Sequence, residues 1–135
     1  MTNIKPVINS YLHCLEKEGF LDRFYELFLT ADERISDMFL LVDFDKQKEL
    51  LRKGIMTILT YLDHESLAGK ITIKRLRETH GSRGMNILPE YYEIWKSCLI
   101  QAVEEYDHEF SDEIKAGWQK VLNEGVSLML EKTGI

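Results

Sequence analysis

Two cysteines, Cys14 and Cys98, and two prolines, Pro6 and Pro89, are all that the 135 residues contain of either type. So few cysteines exclude a disulfide framework, and their spacing forms neither a CxxC redox pair nor a metal-binding pattern. Both read as small core hydrophobes in a chain held in a reducing cytoplasm. Scarce proline suits long helices, because an interior proline removes a backbone hydrogen bond and clashes with the preceding turn. Basic residues are the minority, 17 against 23 acidic, for a net charge of −6 and a pI of about 5.2. That balance argues against nucleic acid and anionic membranes as partners, since both select a positive surface. No apolar run approaches the roughly 20 residues of a membrane span. The N-terminal stretch MTNIKPVINSYLHCLEKEG also lacks the uninterrupted apolar core of a signal peptide. Missing too are G-x-S-x-G, H-E-x-x-H, a P-loop and a dinucleotide fingerprint, and with them the common hydrolase and nucleotide chemistries.

What is present is an ordinary globular composition, 44% hydrophobic and 30% charged. The length predicts one domain over residues 1–135, without room for a second catalytic module. Apolar residues recur at helical spacing almost throughout. Phe20, Leu21, Phe24, Tyr25, Phe28 and Leu29 form one stripe, and Leu51, Ile55, Ile58, Leu59 and Leu62 a second. Tyr92, Trp95, Leu99, Ala102 and Val103 form a third, and Ile114, Trp118, Val121, Leu122, Val126, Met129 and Leu130 a fourth. No stretch alternates as a strand would. The fold class is all-α, with about seven helices.

Boundary residues support that division. Thr30-Ala-Asp-Glu33 reads as a capping box opening a short helix toward Phe39. Asp45 is placed to cap the next helix, and Thr72 one that ends at His80 with Gly81 as its left-handed stop. Pro89 suits a first helical position, and Ser111, followed by Asp112 and Glu113, suits an N-cap.

Among the titratable groups, His64 and His108 fall in polar turns expected to be solvated, and His13 carries no assigned role. Glu104-Glu105 and the Asp43/Asp45 pair read as solvated carboxylates. His80 ends a helix whose inner face holds Ile73 and Leu76, so by position it is either a histidine favoured by the helix dipole or a ligand. Tyr25 places a phenol on an apolar face, where a buried hydroxyl needs a partner.

Taken in order, these residues resemble the globin family, most closely bacterial single-domain globins and the haem domains of flavohaemoglobins. The resemblance runs over residues 8–131. It rests on FYELF with Tyr25, on Phe39 placed 14 residues further on, and on Gln47-x-x-x-Leu51. His80 follows 33 residues beyond Gln47, and the PEYY and W-x-x-x-L segments come after it.

The resemblance implies a three-over-three helical sandwich binding haem b, with the iron held by His80. A separate fourth helix is not expected, because only a short stretch joins Phe39 to Gln47. Phe39, Leu51, Leu76 and Tyr92 would contact the haem. Gln47 would do so too, and with Tyr25 it would donate hydrogen bonds to a bound gas. Leu50 stands where relatives carry a basic anchor for a haem propionate, leaving Lys48 or Arg52 as substitutes. Glu131 lies near the glutamate that pairs with the proximal tyrosine in relatives.

The implied function is reversible binding of oxygen or another diatomic gas, such as nitric oxide or carbon monoxide, in the cytoplasm. One alternative is nitric oxide dioxygenation, which would need an external reductase because the chain has no flavin domain. Another is a haem-free, globin-like interaction module.

Overall fold

Every described stretch that carries the helical periodicity is helical. The computed structural model describes residues 4–63, 71, 74–75 and 89–130. Six helices account for most of them: α1 (Lys5–Leu15), α2 (Phe20–Ala31), α3 (Glu33–Met38), α4 (Phe44–Asp63), α5 (Pro89–Tyr106) and α6 (Asp112–Leu130). No strand occurs among the described residues. Residues 71 and 74–75 are helical. The remaining expectations for a helix ending at His80, including Thr72, Leu76 and Gly81, fall outside the described residues, as do His64 and Glu131. The expected count of about seven helices therefore stands at six among the described residues.

Local chemistry explains most boundaries, with two corrections. Pro89 opens α5 and Ser111 caps α6, its Oγ accepting from the Ile114 amide at 3.2 Å. Thr30, however, does not open α3. It lies inside α2, and its hydroxyl donates back to the Glu26 carbonyl at 2.7 Å. Asp32 is the cap of α3, accepting from the Arg34 amide at 2.8 Å. Asp45 is likewise already within α4, and Asp43 receives the Asp45 amide at 3.1 Å. In both places two plausible capping residues stand two positions apart, and the aspartate outside the helix is the one whose carboxylate meets the free amides. No helix intervenes between α3 and α4, as expected.

The apolar stripes meet as the pattern requires. α2 packs against α5, and α6 packs against α5, α1 and α4. Tyr11, Phe20, Phe24, Leu99 and Trp118 are fully buried at the centre. Side chains of this size contribute roughly 1.5–3 kcal/mol each on burial. Cys14 and Cys98 are both buried free thiols, and burial pushes the Cys14 thiol up to about 12.

One polar network crosses this core. Trp118 Nε1 donates to Ser10 Oγ at 3.0 Å, and Ser10 Oγ donates to Asp107 Oδ2 at 2.6 Å. Asp107 Oδ1 lies 3.0 Å from His13 Nδ1 and accepts from the Glu109 amide at 3.0 Å. Burial alone would raise the Asp107 carboxyl, but the hydrogen bonds from Ser10, the Glu109 amide and His13 together hold it below its usual value. The network ties α1 to the turn between α5 and α6. No described helix is long and apolar enough to cross a membrane.

Candidate functional site

A cavity of about 360 Å³ opens between α2, α4, α5 and α6. That is within the range of small-molecule and cofactor sites. α4 builds one wall by simple periodicity. Gln47, Leu51, Gly54, Ile55 and Ile58 fall at i, i+4, i+7, i+8 and i+11, a single helical face, and all line the cavity. Opposite them stand Tyr25 and Phe28 from α2, with Tyr91, Tyr92 and Trp95 from α5. Phe39, in the turn after α3, closes one side. Its ring makes edge contacts with Tyr25 and Phe28 and stacks on Phe44 at 6.2 Å.

Two glycines shape the space. A Cβ on Gly54 would meet nothing within 4 Å, so this position opens directly onto the cavity. A Cβ on Gly125 would stand 2.8 Å from Ile58 Cγ2, so glycine is what lets α6 approach α4 here.

Few polar atoms face this apolar enclosure. The Tyr25 hydroxyl donates to the main-chain carbonyl of Gln47 at 3.5 Å, the long limit of a hydrogen bond. The Gln47 side chain also hydrogen-bonds to the Tyr25 phenol, whereas the Tyr92 hydroxyl has no hydrogen-bond partner among the described residues. Burial pushes the Tyr25 phenol up to about 12, even though the hydrogen bond from the Gln47 side chain acts in the opposite direction. Burial alone pushes Tyr92 up to about 12. Both phenols therefore keep their protons near neutral pH and remain donors.

The structure thus brings Tyr25, Phe39, Gln47, Leu51 and Tyr92 to one cavity. Leu76 and His80 lie outside the described residues. Lys48 and Arg52, the expected substitutes for the basic anchor, do not line this cavity. Lys48 Nζ pairs with Asp22 Oδ1 at 2.8 Å and Arg52 pairs with Glu49, and both border a separate groove along the far face of α4. They sit one position past Gln47 and Leu51, and a helix turns each residue about 100° from its neighbour. Leu50 does reach the cavity rim, 64% exposed. Gly54, Gly125 and Tyr91 were not foreseen, although extending the Gln47–Leu51 face by one turn reaches Gly54.

The chain belongs to the globin family, which it matches over residues 22–129. Over 117 residues it is 30% identical to an uncharacterized globin-like protein of Aquifex aeolicus (strain VF5), covering 84% of this chain and 80% of that protein. Its fold is similar, with a TM-score of 0.87, to the crystal structure of a Pseudomonas aeruginosa PAO1 protein described as structurally highly homologous to a human hemoglobin. That pair is 32% identical, over 93% of this chain and 94% of the other. The all-α globin fold expected from the sequence is therefore established.

Proposed function

We propose that this globin binds haem b in the α2–α4–α5–α6 cavity, with His80 as the iron ligand, and reversibly binds oxygen or another diatomic gas beside Tyr25 and Gln47. The observation that carries the reading is the cavity itself. It is apolar, it is open where Gly54 lacks a side chain, and its few polar groups are the weakly held Tyr25 and Gln47 and the unpartnered Tyr92 hydroxyl. Such a lining fits a flat apolar macrocycle with a small polar ligand better than it fits a charged substrate.

Bound haem would supply an iron with an open coordination position for a gas. The chain's own residues do the rest. Phe39, Leu51, Ile55 and Ile58 hold the group by apolar contact and exclude water. Tyr25 and Gln47 offer an O–H and an N–H to a small ligand, and in a dry site such bonds are strengthened. The hydroxyl of Tyr92 is available to orient a group on its own side of the cavity. The Tyr25/Gln47 pairing is also the ground for likening this globin to the single-domain bacterial and flavohaemoglobin branches.

The test is a haemin titration of the purified protein, followed by absorption. One haem per chain with a Soret band is expected, and a mainly five-coordinate, high-spin ferrous spectrum. His80→Ala should lose stable haem. Failure to take up haem would end the reading, and unchanged retention and spectrum in His80→Ala would end the ligand assignment.

A further inference from the structure

We propose that His13, Asp107 and His108 form a second site, remote in chemistry from the cavity, that binds one divalent transition ion of the zinc, copper or nickel class. One ligand atom from each of the three residues lies within 4.8 Å of the other two. His13 Nδ1 and Asp107 Oδ1 are already 3.0 Å apart. In a tetrahedral site with bonds of about 2.0–2.1 Å, ligand atoms stand roughly 3.3–3.5 Å from one another. Two of the three ligands are therefore nearly at the right spacing, and an ion would take the place of the hydrogen between them, with the neutral His13 ring carrying its one proton on Nε2.

The third ligand has the freedom to complete the set. His108 lies in the turn after α5 with its side chain 60% exposed. Its ring centroid is 5.1 Å from that of His13, at an interplanar angle of 37°. Among the described residues its Nε2 is held only by an exposed 3.7 Å contact with Glu109, which leaves the side chain able to turn toward the other two ligands. A fourth position stays open to water.

The ligand chemistry selects the class of ion. Two imidazoles and one carboxylate suit zinc, copper and nickel, whereas calcium and magnesium prefer all-oxygen sets. The carboxylate is also fixed in advance. Asp107 is held by Ser10 Oγ at 2.6 Å on one oxygen and by the Glu109 amide at 3.0 Å on the other. Such outer hydrogen bonds orient metal ligands and raise affinity. A clamp for α1 would need only His13 and Asp107, so the second imidazole is what a clamp leaves unexplained. The ion would staple α1 to the α5–α6 turn across 94 residues of sequence and stabilise the fold in proportion to its binding.

The experiment is calorimetric titration of the purified protein with Zn2+, with electron paramagnetic resonance of added Cu2+ alongside. One ion per chain is expected, with nitrogen hyperfine structure from two imidazoles. His108→Ala removes an exposed side chain outside the core, so the fold is retained. It should weaken Zn2+ binding at least about tenfold and reduce the copper signal to one imidazole. His13→Gln should weaken binding similarly. Zn2+ affinity and copper spectra that are the same in His108→Ala as in the parent would overturn the proposal, as would no Zn2+ binding at all.

Discussion

At Tyr25 one hydroxyl faces two competing demands. Its ring makes edge contacts with Phe24 and Phe44, at 5.0 and 5.4 Å between centroids, and these anchor it in the wall. Its proton meets a main-chain carbonyl only at 3.5 Å, so little is lost when the hydroxyl turns toward a ligand. A hydrogen bond to a ligand carrying partial negative charge belongs to the charge-assisted class, worth roughly 1.5–3 kcal/mol, or about 10- to 150-fold in an equilibrium constant. Tyr25→Phe keeps the ring and removes the donor. Stopped-flow measurement should show oxygen leaving about one to two orders of magnitude faster, with carbon monoxide, the less polar ligand, much less affected. An oxygen off-rate within about twofold of the parent would make Tyr25 a packing residue only. The sequence showed that Tyr25 was a phenol on a buried face. It did not show that the hydroxyl would also reach the backbone carbonyl of Gln47, because that depends on how α2 crosses α4.

Among the elements, α4 shapes the site most directly. Its Gln47–Leu51–Ile55–Ile58 face was legible, since helical spacing alone places these residues together. Gly54 sits in the middle of the helix, where glycine is about 1 kcal/mol less favourable than alanine, and it faces open space. Gly54→Leu should therefore make the haem-free polypeptide no less stable in urea, while the new side chain occupies the cavity. Haem affinity, followed by Soret titration, is expected to fall by at least an order of magnitude; an unchanged affinity would show that the group sits elsewhere. At the ends of elements, sequence reasoning was weaker. Thr30 and Asp45 looked like caps, yet Asp32 and Asp43 hold the amides. Nearby Ser, Thr and Asp residues compete for such a place, and a shift of two residues decides which side chain meets an N–H.

Over the whole molecule, the Trp118–Ser10–Asp107–His13 chain joins α6, α1 and the α5–α6 turn through buried atoms. Ser10 both receives and donates, so Ser10→Ala leaves the indole N–H and one carboxylate oxygen unsatisfied in the core. Unsatisfied buried groups of this kind cost about 1–3 kcal/mol. Urea unfolding should show that loss as a lower midpoint with an unchanged slope. A loss below about 0.5 kcal/mol would mean that water replaces the hydroxyl. The residues involved gave no sequence signal: His13 seemed to have no role, and Ser10 and Asp107 are 97 positions apart.

The amino-acid sequence alone determined the helical class, the apolar stripes of α2, α4, α5 and α6, and the placing of Tyr25, Phe39, Gln47, Leu51 and Tyr92 at spacings that resemble globins. These are local properties, because a helix converts spacing directly into a face. Only the tertiary structure decided which groups meet across helices. It turned Lys48 and Arg52 to the far face of α4, left Tyr92 with an unspent donor in the cavity, and joined His13 to Asp107 across 94 residues. Such pairings follow from the angles and distances at which helices pack, and side-chain periodicity along one helix carries no record of its neighbour's position.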